Sequence, residues 1–182
     1  MSELAREPRS SYPYKIAVLC DLRDDRGRLL LIRRAKDPNK GLYSPIGGKL
    51  DTASGESPAM CAQREIHEEA GIDVPIDRLH LGGIISEHGY QGQTNWLMFW
   101  YRVLGPVTVT PHTIGEGDLE WHAPEAFDRL PLPDSDRRII WPLVHRHDAA
   151  APARPGFFAV HVECEGQDMT WRVEQSTPPS PR

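Results

Sequence analysis

The chain has 182 residues, of which 39% are hydrophobic and 26% are charged, and its net charge is −5 at pH 7. This length and composition indicate one globular domain with a core of its own. The net negative charge argues against a general nucleic-acid or membrane-surface binder, which needs a basic patch. No apolar run reaches the roughly 18 residues that are needed to span a bilayer.

The cysteines and the termini indicate the compartment and the domain bounds. The three cysteines are far apart and form no CxxC pair, which is typical of free thiols in a reducing cytosol. The N-terminus lacks the apolar core of a signal peptide, so we expect a cytoplasmic protein. We expect its single domain to cover residues 13–175, with flexible termini over residues 1–12 and 176–182.

The first half of the chain predicts two strands and a helix. Tyr14–Leu22 and Arg28–Arg34 are typical of strands, and the turn Asp24–Gly27 between them favours a hairpin. Ser57-Pro58 is typical of a helix start, with serine as N-cap and proline as the first helical residue. We expect this helix to run to about Ala70.

The second half predicts strands at Leu81–Ser86, Asn95–Leu104 and Leu119–His122. It also predicts a helix at Pro133–His147 and a closing hairpin formed by Phe157–Cys164 and Met169–Val173. The strand Asn95–Leu104 is apolar on both faces, so it is either central in a covered sheet or lines a pocket for a nucleobase. Strands and helices mix without strict alternation, which predicts an α+β fold.

The helix that begins at Ser57 carries three carboxylates near one edge. Glu65, Glu68 and Glu69 are spaced at i, i+3 and i+4. They lie near the C-terminal end of the helix, where the macrodipole opposes negative charge. A hard divalent cation would turn this repulsion into attraction. The alternative is a solvated acidic helix face.

These glutamates belong to a longer pattern, which consists of Gly48, Glu56, Arg64-Glu65 and Glu68-Glu69-x-Gly71-Ile72. The pattern resembles the Nudix box, the signature of the Nudix hydrolases, which reads G-x5-E-x7-R-E-U-x-E-E-x-G-U with U aliphatic. One departure is clear, because seven residues separate Gly48 from Glu56 where the family has five. The extra pair falls in the loop Asp51–Gly55, which we expect to be longer than usual.

The resemblance implies a fold and a metal site. The Nudix fold is a mixed β-sheet sandwiched between α-helices, and the family cleaves diphosphate bonds with Mg²⁺ or Mn²⁺. The implied metal ligands are Glu65, Glu68, Glu69, Glu116 and the carbonyl of Gly48. Oxygen-only ligands suit such hard cations.

The resemblance also implies catalytic roles. It places Arg64, Glu65, Glu69 and Glu116 in catalysis, and Glu56 in support of the metal site from the helix start. Arg64 would fix the rotamer of a carboxylate through a charge-assisted pair. Either Glu65 or Glu116 would act as the general base, and the sequence leaves this choice open.

Beyond the box, the chain is similar to the branch that acts on oxidised purine nucleoside triphosphates, the 8-oxo-dGTPase-like enzymes. By this likeness Asp134 faces the base, while Arg34 and Lys49 meet phosphates. The expected pocket also includes Ser44, Ser86 and His88, which stand where that branch has an asparagine and two phenylalanines.

These expectations describe a hydrolase that uses Mg²⁺ or Mn²⁺ and acts on a nucleoside di- or triphosphate-type substrate. The expected partner is a small nucleotide and neither a nucleic-acid polymer nor a membrane, and we expect a monomer or homodimer. Two alternatives stay open. One is a non-hydrolytic Nudix-fold module that senses a nucleotide or joins a partner protein, and the other is the family's isomerase branch, which acts on isopentenyl diphosphate.

Overall fold

The computed structural model describes residues 11–148, 154–166 and 168–179. Its strands and α-helices are β1 (Tyr14–Asp21), β2 (Leu29–Arg34), β3 (Tyr43–Pro45), α1 (Pro58–Ala70), β4 (Leu79–Tyr90), β5 (Thr94–Val103), β6 (Thr113–Ile114), β7 (Gly117–His122), α2 (Trp141–His147), β8 (Phe157–Glu165) and β9 (Asp168–Thr177). Of the termini that were predicted to be flexible, residues 1–10 and 180–182 lie outside the described part. Strand β9 reaches Thr177, so the predicted domain boundary at residue 175 falls inside a strand.

The strands form two sheets. The larger has the order β1-β5-β4-β8-β9, and the smaller has the order β3-β2-β7-β6. Strand β5 lies between a parallel partner, β1, and an antiparallel one, β4. Apolar clusters form on both of its faces, one including Met98 and Trp100 and the other Tyr101 and Val103. The central position predicted for this strand is confirmed.

The two helices cover opposite faces of the larger sheet. Helix α1 contributes Ala62 and Ile66 to the cluster that contains Val103. Helix α2 contributes Leu143 and Val144 to the cluster that contains Trp100. This arrangement confirms the predicted α+β fold with a mixed sheet between helices.

The predicted hairpin of the first two strands is wrong. The turn forms, because the Asp24 carboxylate accepts hydrogen bonds from the backbone N–H groups of Arg26 and Arg28. Beyond it, however, β1 pairs with β5 while β2 pairs with β3 and β7. Local turn chemistry was therefore read correctly, but long-range pairing places the two strands in different sheets.

The predicted helix over Pro133–His147 is interrupted. A π-helical turn covers Asp136–Ile140, and α2 follows it. Pro142 has no N–H to donate to the carbonyl four residues earlier, and the N–H of Trp141 reaches the carbonyl of Asp136 instead. This wider turn sets the position of Asp136, which is important for the site.

His147 fixes the C-terminal end of α2. The residue is only 3% exposed. Its Nδ1 is 2.7 Å from the carbonyl oxygen of Leu143, and its Nε2 is 2.8 Å from the hydroxyl of Ser176. The ring therefore ties α2 to β9.

Candidate active site

The glycine pair before α1 packs closely against β1. The carbonyl of Gly48 accepts a hydrogen bond of 2.9 Å from the N–H of Val18. A Cβ on Gly47 would lie 2.1 Å from the carbonyl oxygen of Val18, and one on Gly48 would lie 2.3 Å from the Glu65 carboxylate. The loop thus passes between a strand backbone and a carboxylate, where no side chain fits.

This geometry predicts different effects for two alanine substitutions. Gly47→Ala clashes with backbone and should lower the free energy of unfolding by about 1–3 kcal/mol, the usual cost of overpacking. Gly48→Ala meets only the end of a side chain that can turn away, so it should keep the fold and displace the Glu65 carboxylate. Urea unfolding and turnover of both variants check this. A stable, fully active Gly48→Ala protein would contradict it.

Local sequence determines the ends of α1. The Ser57 hydroxyl accepts a hydrogen bond of 3.2 Å from the N–H of Met60, and Gly71 closes the helix with a φ of 68°. Because Ile66 and its neighbours face the core, Glu65 and Glu69 are drawn into buried positions, whereas Glu68 lies outside with its side chain 56% exposed.

Arg64 organises the carboxylates. Its guanidinium donates to both oxygens of Glu56, at 2.8 and 3.0 Å, to Glu65 at 2.7 Å and to Glu68 at 3.3 Å. The N–H of Asp51 also donates to Glu56 at 2.9 Å. The expected longer loop is therefore a hydrogen-bonded turn closed by Asp51 and Glu56.

The ion pair between Glu56 and Arg64 predicts that the protein loses stability at acid pH. The hydrogen bonds from Arg64 lower the pKa of Glu56 from 4.5 to about 2. A lowered folded-state pKa means that the stabilisation is complete above pH 4.5 and is lost as the pH falls towards 2. Discounted for solvent screening, the loss should be on the order of 1–2 kcal/mol. Urea unfolding at several pH values between 4.5 and 2 should show this loss in the wild type and not in Glu56→Gln. If the free energy of unfolding of the two proteins falls in parallel with pH, the prediction is wrong.

Glu65 and Glu69 are both buried acids, and Arg64 contacts Glu65 while the N–H of Gly47 contacts Glu69. They are 9% and 5% exposed. Burial raises the pKa of Glu65, and burial raises the pKa of Glu69 to about 8 in spite of a hydrogen bond of 3.0 Å from the N–H of Gly47. Two buried, mutually repelling carboxylates are the type of donor set that a hard cation would stabilise.

The carboxylates do not yet converge on one point. Among the described residues, no three acidic, histidine or cysteine side chains come together closely enough to hold a metal ion. Arg64 holds Glu65 and Glu68 through the same nitrogen, so these side chains would have to turn from Arg64 towards an ion. The donor types fit a hard cation, but the rotamers require adjustment.

Glu116 lies at the turn between β6 and β7. Its side chain is 53% exposed, and Arg34 lies 3.7 Å away. Its carbonyl accepts a hydrogen bond of 2.8 Å from the N–H of Ala35, which fixes the turn against the end of β2.

These elements surround a cleft of about 460 Å³. Of the residues singled out by sequence, its walls contain Arg34, Ser44, Gly48, Lys49, Glu65 and Glu116. Glu68 and Glu69 are not part of its walls. They flank Glu65 on the same helix.

Three predicted pocket residues lie elsewhere. Ser86 and His88 point to the other face of the sheet, where the Ser86 hydroxyl is 2.7 Å from His161 and His88 is 2.9 Å from Glu163. Asp134 is 64% exposed and pairs with Arg138 at 3.1 Å. Strand alternation explains the first two, because Glu87 between them takes the cleft side. The wider π-helical turn explains the third, because it places Asp136 and not Asp134 on the wall of the cleft.

Sequence reasoning missed several residues of the cleft wall, which are Lys15, Glu87, Tyr90, Ser135 and Asp136. The doubly apolar strand β5 was the one signal for this wall. Its Trp96 and Met98 line the cleft, and the strand is also central in the larger sheet.

Comparison with known proteins identifies the family. The sequence model of the NUDIX domain matches residues 13–141. The chain belongs to the Nudix family. The membership that the box predicted is thereby confirmed.

Two relatives are similar to this chain in sequence, and one solved structure is similar in fold. The Nudix chain is 29% identical over 139 residues to the NAD-capped RNA hydrolase NudC of Pseudomonas aeruginosa, and the match covers 72% of this chain and 45% of NudC. It is 29% identical over 122 residues to the uncharacterized Nudix hydrolase YvcI of Bacillus subtilis, with 66% and 73% covered. A crystal structure of a MutT protein from Bacillus halodurans shares the fold with a TM-score of 0.67 at 22% identity, covering 88% of this chain and 97% of that one.

Two further observations concern membrane-spanning helices and the cysteines. Within the described residues, no helix has the length and apolar character needed to cross a membrane. Cys20, Cys61 and Cys164 are free thiols in the structure.

Proposed function

We propose that this Nudix protein is a hydrolase that depends on a divalent cation and cleaves a diphosphate bond in a nucleotide-type substrate. The products would be a nucleoside monophosphate with pyrophosphate or phosphate. One observation carries the proposal. A single cleft joins a carboxylate-lined end, with Glu65 and Glu116, to a flat aromatic floor at Trp96, which matches a charged phosphate chain attached to a planar base.

Mg²⁺ or Mn²⁺ would be held by Glu65, Glu68, Glu69 and Glu116, with the carbonyl of Gly48 as a further donor. Such a cation, when bound, neutralises phosphate charge and acidifies an attacking water. The protein's own contribution is orientation. Glu56 holds Arg64, and Arg64 holds Glu65 at 2.7 Å.

Two cations would meet the phosphates. Arg34 and Lys49 both line the cleft near its carboxylate end. The Arg34 side chain is oriented by a hydrogen bond of 3.1 Å from its Nε to the carbonyl of Pro38. Guanidinium and ammonium groups at these positions suit a diphosphate, because charge-assisted hydrogen bonds to phosphate oxygens are among the stronger polar contacts.

The substrate class can be tested with a panel. It should include nucleoside triphosphates, oxidised purine nucleotides, ADP-ribose and dinucleoside polyphosphates with Mg²⁺, and NAD because NudC is an NAD-capped RNA hydrolase. Released phosphate and pyrophosphate are measured separately. We expect hydrolysis of at least one class that stops when EDTA is added.

The same panel addresses the non-hydrolytic alternative. If a nucleotide binds by calorimetry but no compound is cleaved with either Mg²⁺ or Mn²⁺, the protein is a nucleotide-sensing module and not a hydrolase.

A further inference from the structure

The outermost strand of the larger sheet has an open edge. Strand β9 is the last in the order β1-β5-β4-β8-β9, and it pairs with β8. Within the described residues, no other strand or loop hydrogen-bonds to its backbone. Alternate residues of an edge strand direct their N–H and C=O groups away from the sheet. The strand Asp168–Thr177 therefore presents a row of backbone donors and acceptors to the surface.

The other edges of the two sheets are covered or short. The opposite edge of the larger sheet is β1, where the N–H groups of Val18 and Cys20 donate to the loop before α1 at 2.9 and 2.7 Å. The edge strands of the smaller sheet, β3 and β6, have only three and two residues. Strand β9 has ten residues and contains neither proline nor lysine, the residues that commonly block an edge. It is therefore the long open edge of the part of the chain that the structure describes.

The regular part of β9 ends at a bulge. Its pairing with β8 is uninterrupted from Asp168 to Val173, and the register then shifts between Val173 and Gln175. A bulge twists an edge away from a neighbouring strand. Pairing with another chain is therefore confined to residues 168–173, a segment of ordinary strand length.

This segment complements itself in charge. When two copies run antiparallel with Thr170 opposite its own copy, Asp168 of each lies opposite Arg172 of the other. Residues that are directly opposite in an antiparallel pair lie on the same face, close enough for their side chains to interact. The register thus forms two pairs of opposite charge, which stabilise a strand pair, whereas like charges in the same positions destabilise it.

Other registers are less favourable. Moving the centre one residue towards the C-terminus places Asp168 opposite Glu174, and moving it two residues places Arg172 opposite its own copy, so both bring like charges together. A shift of three residues pairs Arg172 with Glu174 but passes through the bulge. A shift towards the N-terminus runs into the turn that joins β8 to β9. The charges of β9 therefore favour the register centred on Thr170.

Apolar side chains on the other face of β9 support the same register. Trp171 is 47% exposed, although the Arg138 guanidinium lies 5.9 Å from the centre of its ring. Met169 lies on the same face, two residues earlier, and packs against the core beside α2. With Thr170 at the centre, Met169 of one copy lies opposite Trp171 of the other. A thioether beside an aromatic ring is a stabilising contact, and it removes part of the exposed indole from water.

We propose that this chain forms a homodimer in which two copies of β9 pair antiparallel about Thr170, so that the two five-stranded sheets become one continuous sheet. Arg172 already pairs with Glu174 of its own strand at 2.7 Å. The five N–H donors of its guanidinium allow it to keep this contact while it binds Asp168 of the second copy. The interface lies outside the cleft, so it does not depend on the substrate.

Sedimentation velocity of the full chain tests the dimer. We expect a monomer–dimer equilibrium that shifts towards dimer as the protein concentration rises. Asp168→Arg and Arg172→Asp should each raise the Kd of the dimer at least about tenfold, because each places like charges opposite each other. The double variant exchanges the two charges and should bind more tightly than either single variant. A wild type that stays monomeric at every concentration, or a double variant no tighter than the single ones, would overturn the proposal.

A cysteine at the axis tests the register. Thr170→Cys places two thiols directly opposite each other with Cα atoms about 4.5–5.5 Å apart, which is within the range of a disulfide. We expect a covalent dimer after oxidation with copper phenanthroline. The matched control is Gln175→Cys, at an exposed residue of the same strand, since its two copies would lie on the order of 30 Å apart. Cross-linking that is no more efficient at position 170 than at position 175, in variants shown by circular dichroism to be folded, would overturn the register.

Discussion

Replacing Glu69 by glutamine is expected to lower turnover by about 10–100-fold, as loss of a group that supports a metal site does, without destabilising the fold. Glu69 is 5% exposed and burial raises its pKa to about 8, so the uncharged form predominates below that pH. Glutamine is also uncharged, and it keeps an acceptor for the N–H of Gly47. Activity should therefore fall while the melting temperature at neutral pH stays the same.

The control for this experiment is Glu125→Gln, since Glu125 is an exposed glutamate on the helical turn Pro124–Arg129. It should leave both turnover and melting temperature unchanged. If Glu69→Gln keeps wild-type turnover, or if it unfolds, Glu69 is a structural acid and not part of the reaction site.

The second large effect concerns the general base. Glu65→Gln is expected to lower kcat by about 10²–10⁴-fold, and Glu116→Gln by about tenfold. Glu65 is buried in the cleft wall and held by Arg64 at 2.7 Å. Glu116 is half exposed, and its cation partner is 3.7 Å away. A buried side chain has fewer accessible rotamers than an exposed one, so it loses less entropy in reaching the reactive geometry.

Steady-state kinetics of both variants check this order, with KM and kcat determined separately. A larger kcat loss in Glu116→Gln than in Glu65→Gln would assign the base to the β6–β7 turn. Circular dichroism of both proteins is the control for folding.

Helix α1 and its box could be predicted because their signals are local. The N-cap at Ser57, the glycine at position 71 and the spacing of the glutamates are all read within one helix, and each is present in the structure. The role of Arg64 was also apparent, since a charge-assisted pair with a neighbouring carboxylate depends on residue types and spacing. What the sequence did not show is that one guanidinium contacts Glu56, Glu65 and Glu68 together.

The cleft wall around Glu87 and Asp136 could not be predicted because its signals are non-local. Whether Ser86 or Glu87 faces the cleft depends on the register of β4 against β5, and a shift by one residue exchanges the two faces. Likewise, the choice between Asp134 and Asp136 depends on a π-helical turn that no local propensity predicts. The resemblance to the oxidised-purine branch indicated Ser86, His88 and Asp134. The side chains that line the cleft, Glu87 and Asp136, are one or two residues away in sequence.

A cation held by the carboxylates of α1 is tested most directly by Mn²⁺ affinity, measured by electron paramagnetic resonance together with turnover on the best substrate of the panel. We expect the wild type to bind Mn²⁺, Glu69→Gln to bind it at least about tenfold more weakly, and hydrolysis to fall in parallel. Equal Mn²⁺ affinity in the two proteins, or hydrolysis that continues in excess EDTA, would contradict a cation held by the carboxylates of α1.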